Sequence, residues 1–382
     1  MNPYTPPSGG PFNERRTPSG GLGSAGDTDR RAQKRILIAF IGAVVLMMAI
    51  IGIGTGKQEM QTVHAKQHSR AGHDYLDQKK YMEAEKELRE ATRLRPQEAD
   101  DQALLGDALV GQKKYVDAES AYRRAVKIEP TNARHHYDLG DALDDEKKYA
   151  DAIFEYREAV RLEPDNAAYA IDLGNYLYAL HRYPEAEAAY REGITRKPEV
   201  AVNYSYLAQA LLEQKKFNEA IASYKDAIRH GPDRGEFHGY LGYVYTRQKR
   251  NSEAMTEYRE AIRLTPDEPD FHDALAEALL VAKQLPAARD EMMEAVRLDS
   301  ENDAYVERVG DLDLLRKDYQ KAEGNYRRAV GMDDTVASHH FALAEVLRER
   351  GKTAEADHED ARGLHLQAHP EKSKKKKRAS AK

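Results

Sequence analysis

Apolar and small side chains recur with a period of 34 residues from Ala65 to about Pro370, without an insertion or a deletion. Within each period, positions 4, 7, 8 and 11 share one stripe of a helix, and positions 20, 24 and 27 share one stripe of a second helix. The spacing therefore predicts two helices in each of nine repeats, which cover 65–98, 99–132, 133–166, 167–200, 201–234, 235–268, 269–302, 303–336 and 337–370.

Small residues mark the places where the two helices of a repeat are expected to meet. Position 20 is Ala in all nine repeats, and position 8 is always Gly or Ala. Position 24 is usually Tyr, whose large ring fills the space beside the close approach. Ordering 34 residues costs on the order of 50 kcal/mol, at ~1.5 kcal/mol each, which one helix pair does not offset alone. The repeats are therefore expected to stack on one another.

This period and this pattern resemble the tetratricopeptide repeat family. The resemblance covers 65–370, about four fifths of the chain. It implies an all-α fold in which nine helix pairs form a right-handed superhelical solenoid with a concave, ligand-holding surface. One departure concerns the Trp that the family carries near the start of the first helix. Position 4 holds residues such as His68, His136 and Tyr204 instead.

An uncharged segment of 21 residues, 36–56, precedes the repeats. As a helix it spans about 31 Å at ~1.5 Å per residue, which matches a hydrocarbon core of roughly 30 Å. We therefore predict a transmembrane helix at this place. The residues before it, 1–35, are rich in Pro, Gly and Ser and are predicted to form a disordered tail, and 57–64 form a linker.

Charge predicts the orientation of the apolar segment. Four Lys/Arg lie within the six residues before it, whereas Lys57 is the only one in the first nine after it. Because Lys and Arg resist translocation, we expect a single-pass protein with a cytoplasmic N-terminus and extracytoplasmic repeats. A cleaved signal peptide is a weaker alternative, since the apolar run is long and begins late. A twin-arginine signal at Arg30 and Arg31 is weaker too, because Ala32 and Gln33 follow instead of an apolar pair.

The net charge of −6 conceals a segregation of charge along the chain. Residues 371–382 carry seven Lys/Arg and one Glu, and 1–35 carry six and three, so the body between them is acidic. An acidic body is not expected to bind nucleic acid. The basic tail, 371–382, has several interpretations: a solubilising disordered end, contact with anionic lipid or nucleic acid, or self-association with the acidic groove of another copy.

The sequence contains no complete catalytic or metal-binding motif. The absence of Cys excludes disulfides, thiolate metal sites and a cysteine nucleophile. His358 and Glu359 begin like a zinc-protease motif, but Arg362 stands where the second His is needed. The glycines of 52–57 lack the spacing of a phosphate-binding loop. We therefore predict that the protein is not an enzyme and binds no cofactor or metal.

The resemblance implies that positions 2, 5, 9, 12 and 13 of the first helix line the binding groove. In this chain these positions are acidic at both ends of the array and polar or aromatic between them. The predicted partner-binding residues are Asp107, Asp141, Asp144, Asp145, Asn175, Tyr178, Ser205, Gln209, Tyr243, Asp273, Glu277 and Asp311.

The acidic positions admit two interpretations, of which a solvated helix face is the simpler. Against it, four aspartates of the third repeat stand at i,i+3 and i,i+4 spacing, which costs a few tenths of a kcal/mol per pair. They are Asp138, Asp141, Asp144 and Asp145. We therefore expect a protein or peptide partner with Lys or Arg near its ends and apolar or aromatic residues between them.

These features favour a membrane-anchored protein–protein interaction scaffold or assembly factor. The alternative is a targeting receptor that resembles mitochondrial import receptors and accepts basic signal segments. Binding of an acidic chaperone tail is not favoured, since the family uses Lys at position 5 and Asn at position 9 for that purpose. The second repeat has Ala103 and Asp107 there, and the third has Tyr137 and Asp141.

Overall fold

The computed structural model describes residues 58–369, together with Phe40, Ala43 and Met47. Over 58–369 the regular structure consists of eighteen α-helices, so the prediction of an all-α array of helix pairs is confirmed. The predicted tails, 1–35 and 371–382, and nearly all of the predicted span, 36–56, lie outside the described residues. Within the described part, no helix is both long enough and apolar enough to cross a bilayer.

The chain divides into two compact parts, Met1–Lys114 and Tyr115–Lys382. The helices described in the first part are α1 (58–77), α2 (Tyr81–Leu94) and α3 (Ala99–Gly111). Within this part Gln112 donates a hydrogen bond of 2.8 Å to Glu85, so the end of α3 is tied to α2.

The second part contains fifteen of the described helices. They are α4 (Tyr115–Ile128), α5 (Ala133–Asp145), α6 (Tyr149–Leu162), α7 (Ala167–Ala179), α8 (Tyr183–Arg196), α9 (Ala201–Glu213), α10 (Phe217–His230), α11 (Gly235–Arg247), α12 (Asn251–Leu264), α13 (Pro269–Val281), α14 (Leu285–Leu298), α15 (Asp303–Leu315), α16 (Tyr319–Met332), α17 (Ala337–Glu349) and α18 (Thr353–Ala368). From α5 onward, each odd-numbered helix packs on the even-numbered helices on either side of it in sequence.

A left-handed residue at position 15 ends the first helix of every repeat. It is usually Lys, as at Lys215, which has a φ of 61°. Its amide donates to Leu212 O at 2.8 Å, and the amide of Lys216 donates to Leu211 O at 2.9 Å. These two bonds satisfy carbonyls that the end of a helix leaves free, which is how the chain reverses direction in so few residues.

The small residues of the repeat lie where the sequence pattern predicts close packing. The nine alanines at position 20 are all fully buried. At Gly174, an added Cβ would lie 2.6 Å from the ring of Tyr190, so a side chain there would displace the ring. Position 8 is therefore small because the large ring at position 24 occupies its space.

Ion pairs connect the second helix of one repeat to the start of the second helix of the next. Lys216 donates to Glu187 at 2.7 Å, and Arg191 of the same repeat as Glu187 donates to Glu219 at 3.0 Å. Similar links join Lys148 to Glu119 and Lys352 to Glu323. Each link crosses from one repeat to the next, which fixes the stacking of neighbours.

Candidate functional site

An acidic cluster lies on the odd-numbered helices α5 and α7. It consists of Asp141, Asp144 and Asp145 on α5 and Asp172 on α7. The hydroxyl of Tyr156 donates to Asp141 at 2.7 Å, and the hydroxyl of Tyr176 donates to Asp144 at 2.8 Å. The chain therefore supplies tyrosine hydroxyls to these carboxylates.

Three carboxyl groups of this cluster, those of Asp141, Asp145 and Asp172, have a pKa above the ordinary value of an aspartate. Burial raises the pKa of Asp141, and the charges of Asp172 and Asp144 raise it further, against the opposing effect of the Tyr156 bond. Burial also raises the pKa of Asp145, with Asp144 contributing in the same direction. A positive charge brought to this surface would relieve the repulsion between the carboxylates.

A tyrosine hydroxyl at position 24 donates to position 9 in several repeats. The distances are 2.7 Å from Tyr156 to Asp141, 2.9 Å from Tyr190 to Asn175, and 2.7 Å from Tyr326 to Asp311. The bond joins the second helix of a repeat to the first and orients the position-9 side chain. The helical periodicity alone does not predict this bond, although the recurrent pairing of Tyr with Asp or Asn fifteen residues earlier is a usable signal.

An aromatic pocket of about 540 Å³ lies on the face of the odd-numbered helices from α7 to α13. Three of the predicted binding residues, Tyr178, Gln209 and Tyr243, line it together. The remaining lining residues are Leu212, Glu213, Tyr224, Glu236, Gly239, Tyr240, Tyr258, Glu268, Asp270, Phe271 and Ala274. The structure thus brings together residues from four consecutive repeats in one pocket.

Ser205, another of the predicted partner-binding residues, has a buried side chain, with 2% of the residue exposed. α9 packs between α8 and α10 and touches α7, and a side chain as short as that of serine does not reach past these neighbours. Asn175 at the rim of α7 is exposed, in contrast.

The acidic zone predicted for the seventh and eighth repeats is partly neutralised. Arg308 forms an ion pair of 2.5 Å with Asp273 and lies 3.7 Å from Glu277. Arg308 occupies position 6, which is not one of the predicted groove positions, so its pairing with Asp273 was not predicted. Asp311 accepts from Tyr326 as described above, and Asp270 accepts from Tyr305. This end of the face carries less free negative charge than predicted.

Asp107, the remaining predicted residue, lies half-buried on α3 in the first compact part. Its contact with a partner stays a prediction.

Histidine–glutamate pairs, buried or partly buried, join the two helices of five repeats. In each of them Nδ1 of the His at position 4 lies 2.6 or 2.7 Å from Oε2 of the Glu at position 23. The pairs are His68–Glu87, His136–Glu155, His238–Glu257, His272–Glu291 and His340–Glu359. The other four repeats have neither residue, so the two positions vary together within the chain. The histidines are therefore structural, and this co-occurrence was the signal that could have revealed their partners.

The model of the tetratricopeptide repeat family matches 69–133, 137–201 and 207–269, which together make up half of the chain. No curated protein sequence matches the chain significantly.

Among solved structures, the C-terminal part of a TPR repeat-containing protein from Cytophaga hutchinsonii is similar, with a TM-score of 0.54 and 16% identity. That match covers 62% of this chain and 98% of the other. MamA matches with a TM-score of 0.41 and 17% identity, over 44% of this chain and 97% of its own. YrrB, described as a TPR protein with an unusual peptide-binding site, matches with a TM-score of 0.40 and 17% identity, over 47% of this chain and 92% of its own. At these identities the similarity concerns the fold alone.

Proposed function

Because the chain belongs to the tetratricopeptide repeat family, we propose that it is a protein–protein interaction scaffold or assembly factor that binds partners on the face of its odd-numbered helices. Proteins of this family are generally interaction scaffolds rather than enzymes. The face of α5 to α13 offers an acidic cluster followed by an aromatic pocket. A partner segment with basic and aromatic or apolar residues is complementary to that order.

The observation that carries the proposal is the meeting of Tyr178, Gln209 and Tyr243 in one pocket. These residues belong to three different repeats, and their rings and amide are left accessible on the same face. A pocket of this size that is lined by aromatic rings and a few polar groups is typical of a binding site. Asp144 and Asp145 on α5 extend the binding face with negative charge.

The proposal includes an anchor in the membrane through 36–56, with a cytoplasmic N-terminus and extracytoplasmic repeats. The scaffold then gathers partners at a membrane surface. Protease added to intact cells should digest the repeats while sparing the N-terminal tail. Protection of the repeats until the membrane is opened would instead favour the targeting receptor, which works from the cytoplasmic side.

The binding proposal is tested with an array of twelve-residue peptides probed with the purified full-length chain in detergent. Basic peptides that also contain an aromatic residue should retain more of the chain than acidic or neutral peptides of the same length. The signal should fall between 50 and roughly 500 mM salt, because exposed charge pairs are screened over a Debye length of about 10 Å at 0.1 M. Equal retention on acidic and basic peptides would exclude the proposed ligand class.

A further inference from the structure

Five tyrosine rings and one phenylalanine ring line the aromatic pocket. Tyr224 and Tyr258 are almost fully buried, whereas Tyr240 and Tyr243 keep 43% and 44% of their surface exposed. The rings of Tyr224 and Tyr240 stack at 5.8 Å between centroids. The pocket therefore offers accessible ring faces above a fixed aromatic base.

Carboxylates surround these rings, and the lining contains no basic side chain. The four acidic lining residues are Glu213, Glu236, Glu268 and Asp270. Glu236 is paired with Arg234 at 2.5 Å, and Asp270 accepts from the hydroxyl of Tyr305. Among the side chains of 58–369, no Lys, Arg or His forms an ion pair with Glu213 or Glu268. Two negative charges at the pocket are thus left for a ligand to neutralise.

A guanidinium of the chain itself already contacts one of the rings. The side chain of Arg247 donates to the hydroxyl of Tyr243 at 2.9 Å, and its Cζ lies 5.8 Å from the centre of that ring. Arg250 lies over Tyr245 at 4.5 Å in the same repeat. Rings of this helix therefore accept a planar cation in the geometry that cation–π attraction favours.

From this combination we propose that the aromatic pocket seats an arginine side chain of the partner segment, an inference that rests on the proposed function. The planar guanidinium stacks on tyrosine rings and donates two hydrogen bonds to one carboxylate. The compact, strongly hydrated ammonium of lysine stacks on a ring less well. Glu213 and Glu268 supply the carboxylates, and Tyr240 and Tyr243 supply the ring faces. The acidic cluster on α5 and α7 binds other basic residues of the same segment.

Three peptides that differ at one central residue test this assignment by fluorescence anisotropy with the full-length chain. Each has four lysines at one end, which serve the acidic cluster, and Arg, Lys or citrulline at the centre. Citrulline has nearly the shape of arginine but no charge. The arginine peptide should bind about tenfold more tightly than the citrulline peptide, since a charge-assisted hydrogen bond and a cation–π contact are lost. The lysine peptide should fall between them.

Variants of exposed residues locate the effect. Tyr243→Ala and Glu213→Gln should lower the affinity of the arginine peptide toward that of the citrulline peptide and leave the citrulline peptide unchanged. Phe154→Ala and Glu199→Gln remove an exposed ring and an exposed carboxylate outside the pocket and should change neither affinity. Far-UV circular dichroism verifies that each variant is folded.

The outcomes separate this inference from the proposed function. Equal binding of the arginine and citrulline peptides, or of the arginine and lysine peptides, would overturn the inference while leaving the scaffold intact. A change in oligomer size on Tyr243→Ala would identify a second copy as the occupant and would overturn it as well. Failure of all three peptides to bind would overturn both.

Discussion

The hydroxyl of Tyr156 donates to the carboxylate of Asp141 across 2.7 Å, joining α6 to the acidic cluster on α5. The fourth repeat makes the same connection with an amide, because Tyr190 donates to Asn175 at 2.9 Å. The fold thus accepts either a charged or a neutral acceptor at position 9. The third repeat has the charged one although nearby carboxylates oppose its ionisation, which is expected if the charge serves binding.

Replacing Asp141 with Asn should therefore stabilise the protein. Burial raises the pKa of Asp141, so the folded state binds its proton more tightly than the unfolded state does. Under this linkage the free energy of unfolding falls as pH rises from the unfolded pKa through the folded pKa. In Asp141→Asn that loss is absent, and the melting temperature at pH 7 should rise by an amount corresponding to a few tenths of a kcal/mol per relieved charge pair.

The fourth repeat offers a control for the Asp141→Asn variant. Asn175→Asp introduces a charge at the equivalent place, where Tyr190 supplies the same bond, and should lower the melting temperature at pH 7 but not at pH 4. A lower melting temperature for Asp141→Asn at pH 7 would show that the charge itself stabilises the fold.

The buried pair of His136 and Glu155 should be strongly coupled. His136→Ala leaves a carboxylate that is 8% exposed without its partner at 2.6 Å, which should cost about 2–3 kcal/mol. Removing both side chains recreates the Ala170 and Ala189 combination of the fourth repeat, and should cost less than the sum of the two single changes. Urea denaturation of the four proteins of the cycle measures the coupling, and strictly additive losses would contradict it.

Glu323 should stabilise the end of the array in a way that acid removes. Burial acts to raise its pKa, but bonds from Lys352 and Arg327 outweigh it and lower the pKa to about 2. A group with a lowered folded pKa contributes stability above its unfolded pKa and loses it as pH falls toward the folded value. Glu323→Gln should therefore lower the urea midpoint at pH 7. The difference in urea midpoint between the variant and the wild type should shrink as pH falls from 4.5 to 2.

A control for this effect is Glu355→Gln, which removes an exposed carboxylate that contacts Arg327 at the surface. Its effect at pH 7 should be smaller, since exposed ion pairs contribute about 0–1 kcal/mol. A gap for Glu323→Gln that stays constant down to pH 2 would mean that packing, and not charge, is lost in the variant.

Glycine at a left-handed turn position should stabilise the chain. Lys215 has a φ of 61°, a conformation that costs an L-residue roughly 1–2 kcal/mol and glycine almost nothing. Part of this stabilisation is offset by the larger unfolded-state entropy of glycine, so Lys215→Gly should raise the free energy of unfolding by about 0.5–1 kcal/mol. The matched change Lys225→Gly, in the exposed interior of α10, should lose about 1 kcal/mol. A loss in both variants, measured by urea denaturation, would contradict the assigned turn.

The helices were predictable because their signal is local and repeated. The small residue at position 20 and the ring at position 24 lie within one turn of each other, so their spacing alone indicates a helix face. The first residues of the odd-numbered helices from Ala99 to Ala337 follow each other at intervals of 34 residues, as the period predicts.

The contacts between helices were not predictable in the same way. Tyr156 and Asp141 are fifteen residues apart and lie on two helices, so their meeting depends on how the two helices are rotated about their axes. The burial of Ser205 and the pairing of Arg308 with Asp273 depend on a neighbouring repeat as well. Helical periodicity assigns a residue to one face of a helix, but the neighbouring side chains determine how deeply that face is buried.

The most direct test of the proposed function is a salt titration of binding to a twelve-residue peptide that contains four lysines, an arginine and a tyrosine. Asp144→Asn with Asp145→Asn should weaken binding to the full-length chain about tenfold at 50 mM salt and flatten its salt dependence. Asp165→Asn with Glu199→Gln removes the same two charges from exposed positions elsewhere and should change affinity less than about twofold. Equal losses in the two double variants, or an affinity that salt does not change, would contradict the account.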